Sequence, residues 1–272
     1  MAYKPAIDPI IIRENDIRGL YGMNLHERDG FRIGCALAHA AAAKGGHTLV
    51  IGRDGRISSP ALTKALTRGI VRTGVDVIDI GIGPSSMVYF ATNLYGKTGG
   101  AMVTASHNPP EYNGFKLILN GRTLAGTPLY DMIVRAPTNG KNVENGQVRF
   151  DDDLQKAYAK ALLEAHAAFD SQKSDTTPLR VLFDAGHGAT GPVLNRIVTS
   201  LPNDIHLINV AVDGRFPAHP PDPSRPEHLA ALKQETVAGG FDLALAFDGD
   251  GDRMAAIDHK GRFVDPDRLL AV

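Results

Sequence analysis

The stretch Leu243-Ala-Leu-Ala-Phe-Asp-Gly-Asp-Gly-Asp-Arg253 joins an apolar run to a dense acidic turn. The apolar run has the composition of a buried strand, and it ends in Asp248, Asp250 and Asp252, which are separated only by glycines. Alternate side chains of an extended chain point the same way, and the glycines let the backbone curve until the carboxylates converge. Three converging carboxylates repel one another unless a hard divalent cation binds them. The pattern therefore predicts a metal site at a strand end, with Mg²⁺ as the expected ion.

Two other interpretations of the acidic turn fit the sequence less well. A plain surface turn needs one Asp-Gly pair rather than three Asp in step. An EF-hand loop would place Asp at its first, third and fifth positions, as here, but it needs Gly at the sixth and Glu at the twelfth. This sequence has Arg253 and His259 at those two positions. These departures favour a metal site of another kind.

Length and composition exclude several classes of protein. A chain of 272 residues predicts two domains, and 29 basic against 30 acidic residues argue against a nucleic-acid or membrane-surface partner. The single cysteine, Cys35, excludes an intrachain disulfide and fits a reducing compartment. No apolar run approaches the length of a membrane span, and the N-terminus lacks the layout of a signal peptide. We expect a cytoplasmic protein.

Strand and helix patterns alternate along both halves of the chain. The predicted strands lie at residues 10–12, 48–51, 75–80, 100–104, 179–183, 205–210 and 243–247. The predicted helices lie at 29–44, from an N-cap at Ser59 to Gly74, at 84–95, from the acidic run 151–153 onward, and at 227–237. This alternation is typical of α/β layers. We expect two consecutive three-layer α/β/α domains with mixed, largely parallel sheets, and a boundary near residue 150.

The loop that follows the strand at 100–104 carries the second candidate site. Pro109-Pro110 excludes helix and central strand, so Ser106 and His107 lie on a loop at a strand end, where open α/β sheets place ligands. Adjacent Ser and His suggest a nucleophile, but the glycines of a hydrolase elbow are missing. From this stretch alone, a catalytic Ser106 and a plain turn are equally supported.

Two further stretches carry weaker signals. Arg18 precedes a glycine and could approach a bound anion, although a solvated surface charge is the commoner role for such a residue. The Gly-rich turn at 184–191 could cradle phosphate. The tight turn that βα units need is the favoured interpretation of that stretch. The βαβαβ order of this second half repeats that of the first, which suggests related architectures.

Four motifs occur in the order found in the α-D-phosphohexomutases: Asp16-Ile-Arg18-Gly, Gly52-Arg-Asp-Gly-Arg56, Thr104-Ala-Ser106-His107-Asn108-Pro109 and Asp248-Gly-Asp250-Gly-Asp252-Arg253. The chain resembles this family over essentially its whole length. Three more motifs resemble its bacterial phosphomannomutase/phosphoglucomutase branch: Asn113-Gly-Phe-Lys116, Asp213-Gly-Arg-Phe-Pro217 and Pro221-Asp-Pro223. Three positions depart from that branch: Asn15 replaces a Tyr, Pro84-Ser85-Ser86 replaces Pro-Thr-Pro, and His219-Pro220 replaces a His pair.

The resemblance implies a mechanism. Ser106 would carry a phosphoryl group, donate it to a hexose phosphate, and recover a phosphoryl group after the bisphosphorylated sugar turns over. One Mg²⁺ per chain would bind Asp248, Asp250, Asp252 and the Ser106 phosphate, and glucose 1,6-bisphosphate would act as activator or intermediate. The implied catalytic residues are Ser106, His107, Lys116 (the general acid/base) and Arg18. The implied phosphate- and substrate-binding residues are Arg18, Asn108, Lys116 and Arg253.

The resemblance also implies a longer enzyme. Residues 1–150 would form its first domain and 151–258 its second, and 259–272 would begin a truncated third. The family's sugar loop and its grip on the distal phosphate lie in later domains, so the expected partners are a hexose phosphate and those missing domains. The chain alone is expected to be inactive or very weak. A metal-dependent phosphatase with an Asp nucleophile and a non-catalytic phosphosugar-binding module are the alternatives.

Overall fold

The structure is a computed structural model that describes residues 7–96, 98–138, 145–170 and 177–270. The chain divides into two compact units. The first comprises Met1–Ala105 and Pro110–Asp152, and the second comprises Ser106–Pro109 and Asp153–Val272. The short segment Ser106–Pro109 thus groups with the second unit, although the chain on both sides of it belongs to the first. The stretch 136–147, whose Pro, Asn and Gly content predicts a loop, lies partly outside the described residues.

The first unit is a mixed sheet with helices. Its strands are β1 (Ile17–Leu20), β2 (Thr48–Arg53), β3 (Asp76–Ile82), β4 (Gly99–Val103), β5 (Tyr112–Leu119), β6 (Arg122–Leu124) and β7 (Val148–Phe150). Its helices are α1 (Glu27–Ala42), α2 (Ser59–Val71), α3 (Ser85–Leu94) and α4 (Gly126–Arg135). The sheet order is β1-β5-β4-β2-β3-β7, with β6 paired to β5. Strands β4, β2, β3 and β7 pair in parallel, whereas β1, β5 and β6 are antiparallel additions.

Alternation along β2 explains how this sheet is covered on both faces. Leu49 and Ile51 are fully buried in one cluster with apolar residues of α1, α2 and α4. Gly52 points to the opposite face, where a Cβ would lie 2.7 Å from Val88 of α3. Helices α1 and α2 approach so closely that a Cβ at Gly69 would lie 2.0 Å from the Phe31 carbonyl oxygen. Glycine is therefore required at that crossing.

The second unit has a smaller mixed sheet. Its strands are β8 (Arg180–Asp184), β9 (Asp204–Ile208), β10 (Leu243–Phe247), β11 (Met254–Asp258) and β12 (Phe263–Val264). Its helices are α5 (Leu154–Asp170), α6 (Gly191–Ile197), α7 (Ala230–Ala238) and α8 (Pro266–Leu270). The sheet order is β12-β11-β10-β8-β9. Strand β8 pairs in parallel with β10 and β9, and β11 and β12 are antiparallel.

The two units share a strand order. In the first, β3-β2-β4-β5 are consecutive neighbours and β6 pairs with β5; in the second, β9-β8-β10-β11 are neighbours and β12 pairs with β11. The architectural relation suggested by the repeated βαβαβ order is confirmed. It follows that the Ser106 loop after β4 and the acidic loop after β10 leave the carboxyl ends of equivalent strands.

Several local features agree with their sequence patterns. Leu62, Leu66 and Ile70 are all fully buried, as their spacing predicts for one face of α2. Strands β11 and β12 form a hairpin that turns at residues 259–261, where the sequence His-Lys-Gly predicts a turn. Asp265 caps α8, because its side chain accepts a hydrogen bond from the backbone N–H of Asp267 at 3.0 Å. Among the described residues, no helix combines the length and the hydropathy needed to cross a membrane.

Other local expectations are wrong. Residues 10–12 are not a strand: Pro9–Ile11 is a 3-10 helix, capped by the Asp8 side chain on the Ile10 N–H. Ser59 is not the N-cap of α2 but its first residue. The helix expected from residue 227 begins at Ala230. The spacing of Leu154, Tyr158, Ala161 and Ala165 predicts one buried face of α5, but Ala165 is exposed. The sheets, in contrast, are mixed and largely parallel as predicted, with antiparallel strands at one side of each.

Candidate active site

The acidic loop after β10 brings its three carboxylates together. Asp248 and Asp250 are buried and Asp252 is exposed, and one oxygen from each lies within 4.8 Å of the others. Asp248 Oδ1 accepts the backbone N–H groups of Asp252 (3.1 Å) and Arg253 (3.2 Å), so this side chain organises the turn. Gly251 adopts φ +68°, which favours glycine. The donor set is all oxygen and fits a hard divalent cation, so these three aspartates could hold a metal ion.

Ser106 faces this loop within the second unit. Its side chain is buried, and Oγ donates a hydrogen bond to Asp248 Oδ2 at 2.7 Å. Oγ is also 3.3 Å from His107 Nδ1. The backbone of Ser106 is left-handed (φ +53°), a conformation that costs a residue other than glycine about 1–2 kcal/mol. Such strain persists only where neighbouring groups over-determine the conformation. The candidate nucleophile and the candidate metal ligands therefore belong to one cluster.

Gly249 allows the close approach of the acidic loop to the Ser106 segment. A Cβ at this position would lie 2.6 Å from the Ser106 carbonyl oxygen and 3.5 Å from both Phe216 and Pro221. On its other side, the Gly249 carbonyl accepts the N–H of Ala189 at 3.0 Å. Gly249 is thus enclosed by three segments, and a side chain there would displace at least one of them.

Two of the predicted site residues lie in the first unit. Arg18 on β1 is mostly buried, and its guanidinium forms an ion pair with Asp16 (Nη2 to Oδ2, 2.6 Å). It is therefore not the solvated surface charge that its local sequence favoured. Lys116 on β5 lies opposite Met102 of β4, with Nζ 3.5 Å from Ser85 Oγ. The roles of both residues stay predictions.

The other predicted residues lie in the second unit. His107 and Asn108 are half-buried on the Ser106 segment, and Arg253 is exposed at the end of the acidic loop. His107 also lies close enough to Asp222 to affect the pKa of its carboxyl group. No role was predicted for Asp222 from the sequence. Burial raises the pKa of Asp222, but hydrogen bonds from Ser224 and the nearby His107 and His228 outweigh it, so the pKa lies below its ordinary value.

A buried network in the first unit was not predicted. Asp54, just after β2, accepts hydrogen bonds from Arg56 Nε (3.1 Å), Ser59 Oγ (2.5 Å) and Thr104 Oγ1 (2.7 Å). Arg56 is itself fully buried, and it donates to the Tyr112 carbonyl at 3.0 Å. Burial raises the pKa of Asp54, and Arg56 and the two hydroxyls oppose that rise.

This network ties β2 to the residues on either side of the Ser106 segment. Thr104 precedes Ser106 by two positions, and its N–H donates to Gly114 on β5. Because the sequence is Asp-x-Arg directly after a strand, the pair could have been suspected as a strand-end ion pair. Thr104 could not have been found as its partner from the sequence.

Comparison with known proteins agrees with this arrangement of residues. Residues 9–143 match the family model described as phosphoglucomutase/phosphomannomutase, alpha/beta/alpha domain I, and residues 156–261 match that of domain II. The chain belongs to the phosphoglucomutase/phosphomannomutase family. The resemblance seen in its motifs and the expectation of two α/β/α domains are confirmed. The family match includes the Ser106 segment and the whole acidic loop.

Individual relatives carry the same names. The chain is 37% identical over 265 residues to a phosphomannomutase/phosphoglucomutase of Pseudomonas putida, covering 97% of this chain and 56% of that protein. It is 36% identical over 261 residues to a phosphoglucomutase of Neisseria gonorrhoeae, covering 96% of this chain and 55% of that protein. The chain therefore spans about half the length of the curated relatives it matches.

Solved structures show the same fold. A crystal structure of a phosphoglucomutase/phosphomannomutase family protein from Burkholderia thailandensis is 35% identical and matches with a TM-score of 0.85, covering 97% of this chain and 58% of that one. A crystal structure of a putative phosphomannomutase from Thermus thermophilus is 26% identical, with a TM-score of 0.81, covering 96% of this chain and 60% of that one.

Proposed function

We propose that this chain is the phosphoryl-transfer portion of a phosphohexomutase, an isomerase that interconverts hexose 6-phosphate and hexose 1-phosphate. The observation that carries the proposal is the hydrogen bond of 2.7 Å from Ser106 Oγ to Asp248, one of three convergent carboxylates. A phosphoserine at this position would have its oxygens beside a divalent cation. The relatives support a mannose or glucose phosphate as substrate, since their printed names are phosphomannomutase and phosphoglucomutase.

In the proposed reaction, the Oγ–P bond of phosphorylated Ser106 breaks while an O–P bond forms to a hydroxyl of the sugar phosphate. The hydroxyl proton passes to a base, for which Lys116 is the candidate. The product is a bisphosphorylated sugar such as glucose 1,6-bisphosphate, and after reorientation its other phosphoryl group returns to Ser106. Arg18, His107, Asn108 and Arg253 are the candidate groups for holding the phosphates.

Asp248, Asp250 and Asp252 would hold the Mg²⁺ in this proposal. When bound, the ion neutralises charge on the transferring phosphoryl group. The carboxylates set its position, and Asp248 is already fixed by the two backbone N–H groups of its own loop. Positioning is the main contribution that a protein makes to phosphoryl transfer. We also propose that this chain works together with further domains of the same enzyme, and that the enzyme is cytoplasmic.

The two alternatives are less well supported. A metal-dependent phosphatase would use an aspartate as nucleophile and leave Ser106 without a task, yet Ser106 is strained, buried and bonded to the carboxylate cluster. A phosphosugar-binding module would not need a serine hydroxyl at a carboxylate cluster.

The test uses the purified 272-residue chain. It is incubated with Mg²⁺ and glucose 1,6-bisphosphate, and phosphate is located by peptide mass spectrometry. We expect phosphate on Ser106, none in a Ser106→Ala variant, and unchanged labelling in Ser200→Ala, a serine remote in sequence from both loops. Phosphate bound as an acyl phosphate on an aspartate would favour the phosphatase instead.

Metal binding is measured on the same samples by thermal shift. A ligand at a hundredfold excess over its Kd stabilises the protein by about 2.7 kcal/mol. We expect a shift with millimolar Mg²⁺ that is reduced in Asp250→Asn. A coupled mutase assay should show little turnover from this chain. Rates of roughly 1–1000 per second would mean that the chain needs no further domains.

A further inference from the structure

We infer that Asp184 and His219 are positioning residues for the acidic loop, because their ion pair joins two of the three segments that enclose Gly249. The inference rests on the proposed function in that the loop is taken to bind a metal ion. Neither residue belongs to the candidate metal ligands. The sequence suggested only a tight turn at 184–191 and a departure from a His pair at 219–220.

The ion pair is short and nearly buried. His219 Nε2 lies 2.9 Å from Asp184 Oδ2, with 11% of the His219 side chain and 2% of the Asp184 side chain exposed. His219 Nδ1 lies 2.9 Å from the Pro220 carbonyl oxygen. A carboxylate and a carbonyl can only accept, so both ring nitrogens must donate and the ring is an imidazolium.

The pKa shifts of the pair agree with this geometry. Desolvation lowers the pKa of His219, but the hydrogen bonds to Asp184 and to the Pro220 carbonyl outweigh it and the pKa is raised. Burial raises the pKa of Asp184, but hydrogen bonds from His219, Asn209 and the Gly186 N–H outweigh it and the pKa is lowered. Both groups are held in their charged forms.

Asp184 organises the first of the two segments, the loop 185–190 that follows β8. Its Oδ1 accepts the N–H of Gly186 at 2.8 Å and the side-chain amide of Asn209 at 2.9 Å. This loop then reaches the acidic loop, where the Ala189 N–H donates to the Gly249 carbonyl at 3.0 Å. A Cβ at Gly188 would lie 3.0 Å from the same carbonyl oxygen, so Gly188 as well as Ala189 packs closely against the acidic loop.

His219 lies on the second segment, residues 213–221. Phe216 and Pro221 of this segment each lie 3.5 Å from the position that a Cβ at Gly249 would take. The segment is also joined to the first by a backbone hydrogen bond of 3.0 Å from Asp213 N–H to the His187 carbonyl. His219 packs on Gly186, since a Cβ there would lie 3.2 Å from the imidazole Cε1. The ion pair is therefore a second link between two segments that both contact Gly249.

Gly249 supplies the peptide unit between the two buried carboxylates, Asp248 and Asp250. If the enclosing segments separate, that peptide can move and the spacing of the two carboxylates changes. Removing a hydrogen-bond partner of a metal ligand typically costs about 10–100-fold in affinity. The Asp184–His219 pair acts through the Gly249 peptide rather than on a ligand directly, so we expect a loss at the low end of that range. Removing the ion pair should therefore lower metal affinity by more than the accompanying loss of folding stability can explain.

The experiment compares divalent-metal affinity with stability in His219 variants of the whole chain. Mn²⁺ and Mg²⁺ affinities are measured by isothermal titration, and stability by thermal unfolding without metal. In His219→Gln, which keeps a hydrogen-bond donor but not the charge, we expect metal affinity to fall by about tenfold. In His219→Ala, which has neither, the loss should be larger. Asp184→Asn should resemble His219→Gln.

Two control variants separate positioning from general destabilisation. His206→Gln removes a second His–Asp pair of the same unit, in which His206 Nε2 and Asp204 Oδ1 are 3.2 Å apart at the start of β9, and should leave metal affinity unchanged. Leu232→Ala truncates a buried core residue of α7 and should lower the melting temperature without changing metal affinity.

Wild-type affinity for Mn²⁺ and Mg²⁺ in a folded His219→Gln or His219→Ala variant would overturn the inference while leaving the metal site intact. An equal loss in Leu232→Ala would also overturn it, because destabilisation would then explain the effect. If the wild-type chain itself binds neither ion, the metal part of the proposed function fails together with the inference. The Gln variant retains a donor of similar reach, so the comparison does not depend on the folding of His219→Ala.

Discussion

Replacing Asp54 by Asn tests the buried network that joins β2 to the chain next to Ser106. The two side chains have the same shape, so the substitution removes a charge and converts one acceptor to a donor. Asp54 and Arg56 are both fully inaccessible to solvent, and Arg56 stays protonated at any ordinary pH. The change therefore removes the Asp54 carboxylate charge from beside a buried guanidinium.

The expected magnitude follows from this burial. Breaking a buried ion pair by removing one partner costs about 3–5 kcal/mol. A domain is typically stable by about 5–15 kcal/mol, so the first unit should lose roughly a fifth or more of its stability. Thr104→Val, which removes only the hydroxyl donated to Asp54, should cost less, about 1.5–3 kcal/mol for a hydrogen bond to a charged group. The double variant should cost less than the sum, because both changes affect one network.

Native-state hydrogen exchange followed by mass spectrometry is the assay, because it reports β2 and β4 peptides separately from those of the second unit. Asp131→Asn, in an exposed pair with Arg135, is the matched control and should leave exchange unchanged. A loss below about 1 kcal/mol in Asp54→Asn, within the range of ordinary neutral hydrogen bonds, would refute the reasoning.

Two further predictions concern the second unit. Gly249→Ala places a Cβ 2.6 Å from the Ser106 carbonyl oxygen and should lower Mn²⁺ affinity, measured by isothermal titration, about tenfold or more. The control Gly240→Ala, at a left-handed position whose Cβ would meet only Arg180, should leave Mn²⁺ affinity unchanged. Wild-type Mn²⁺ affinity in Gly249→Ala would show that the segments around Gly249 leave room for a side chain. The raised pKa of His219 means that its stabilisation is complete below the unfolded value of about 6.5 and is lost as pH rises through the folded value. Between pH 6 and pH 9 the melting temperature of the wild type should therefore fall more than that of His219→Gln, and parallel curves would contradict the imidazolium assignment.

Local patterns sufficed for much of the fold because the relevant information is local. The apolar run 243–247 is long enough for one strand and is followed at once by residues that cannot continue it, so β10 and the acidic loop could be placed together. The 3.6-residue spacing of Leu62, Leu66 and Ile70 likewise identified the buried face of α2.

The sequence-based predictions failed where a side chain with a strong local preference bonds instead to a residue that is distant in the chain. Ser59 before Pro60 is a typical N-cap pattern, but the Ser59 hydroxyl donates to Asp54, and the helix begins at Ser59 with Ser58 at the cap position. Asp54 and Thr104 are 50 residues apart, and Asp184 and His219 are 35 apart. No periodicity or motif spacing relates partners so far apart in the chain. The sequence therefore did not predict the buried networks of Asp54 and Asp184.

The shared strand order gives these two networks a common logic. Asp184 ends β8 and Asp54 follows β2, its equivalent, and each carboxylate accepts the backbone N–H two residues further on (Gly186 at 2.8 Å, Arg56 at 3.0 Å). Each also lies beside the strand that precedes a loop of the candidate active site, since β8 pairs with β10 and β2 pairs with β4.

The two networks differ in the origin of the cation. In the first unit it is Arg56, two residues from Asp54, so the pair can form as soon as the turn after β2 closes. In the second it is His219, which reaches Asp184 only when the segment 213–221 has folded back over the turn. Closing a longer loop costs more conformational entropy, although the cost grows only slowly with length. The support of the acidic loop therefore depends on the docking of a separate segment, whereas the anchor next to Ser106 is formed locally.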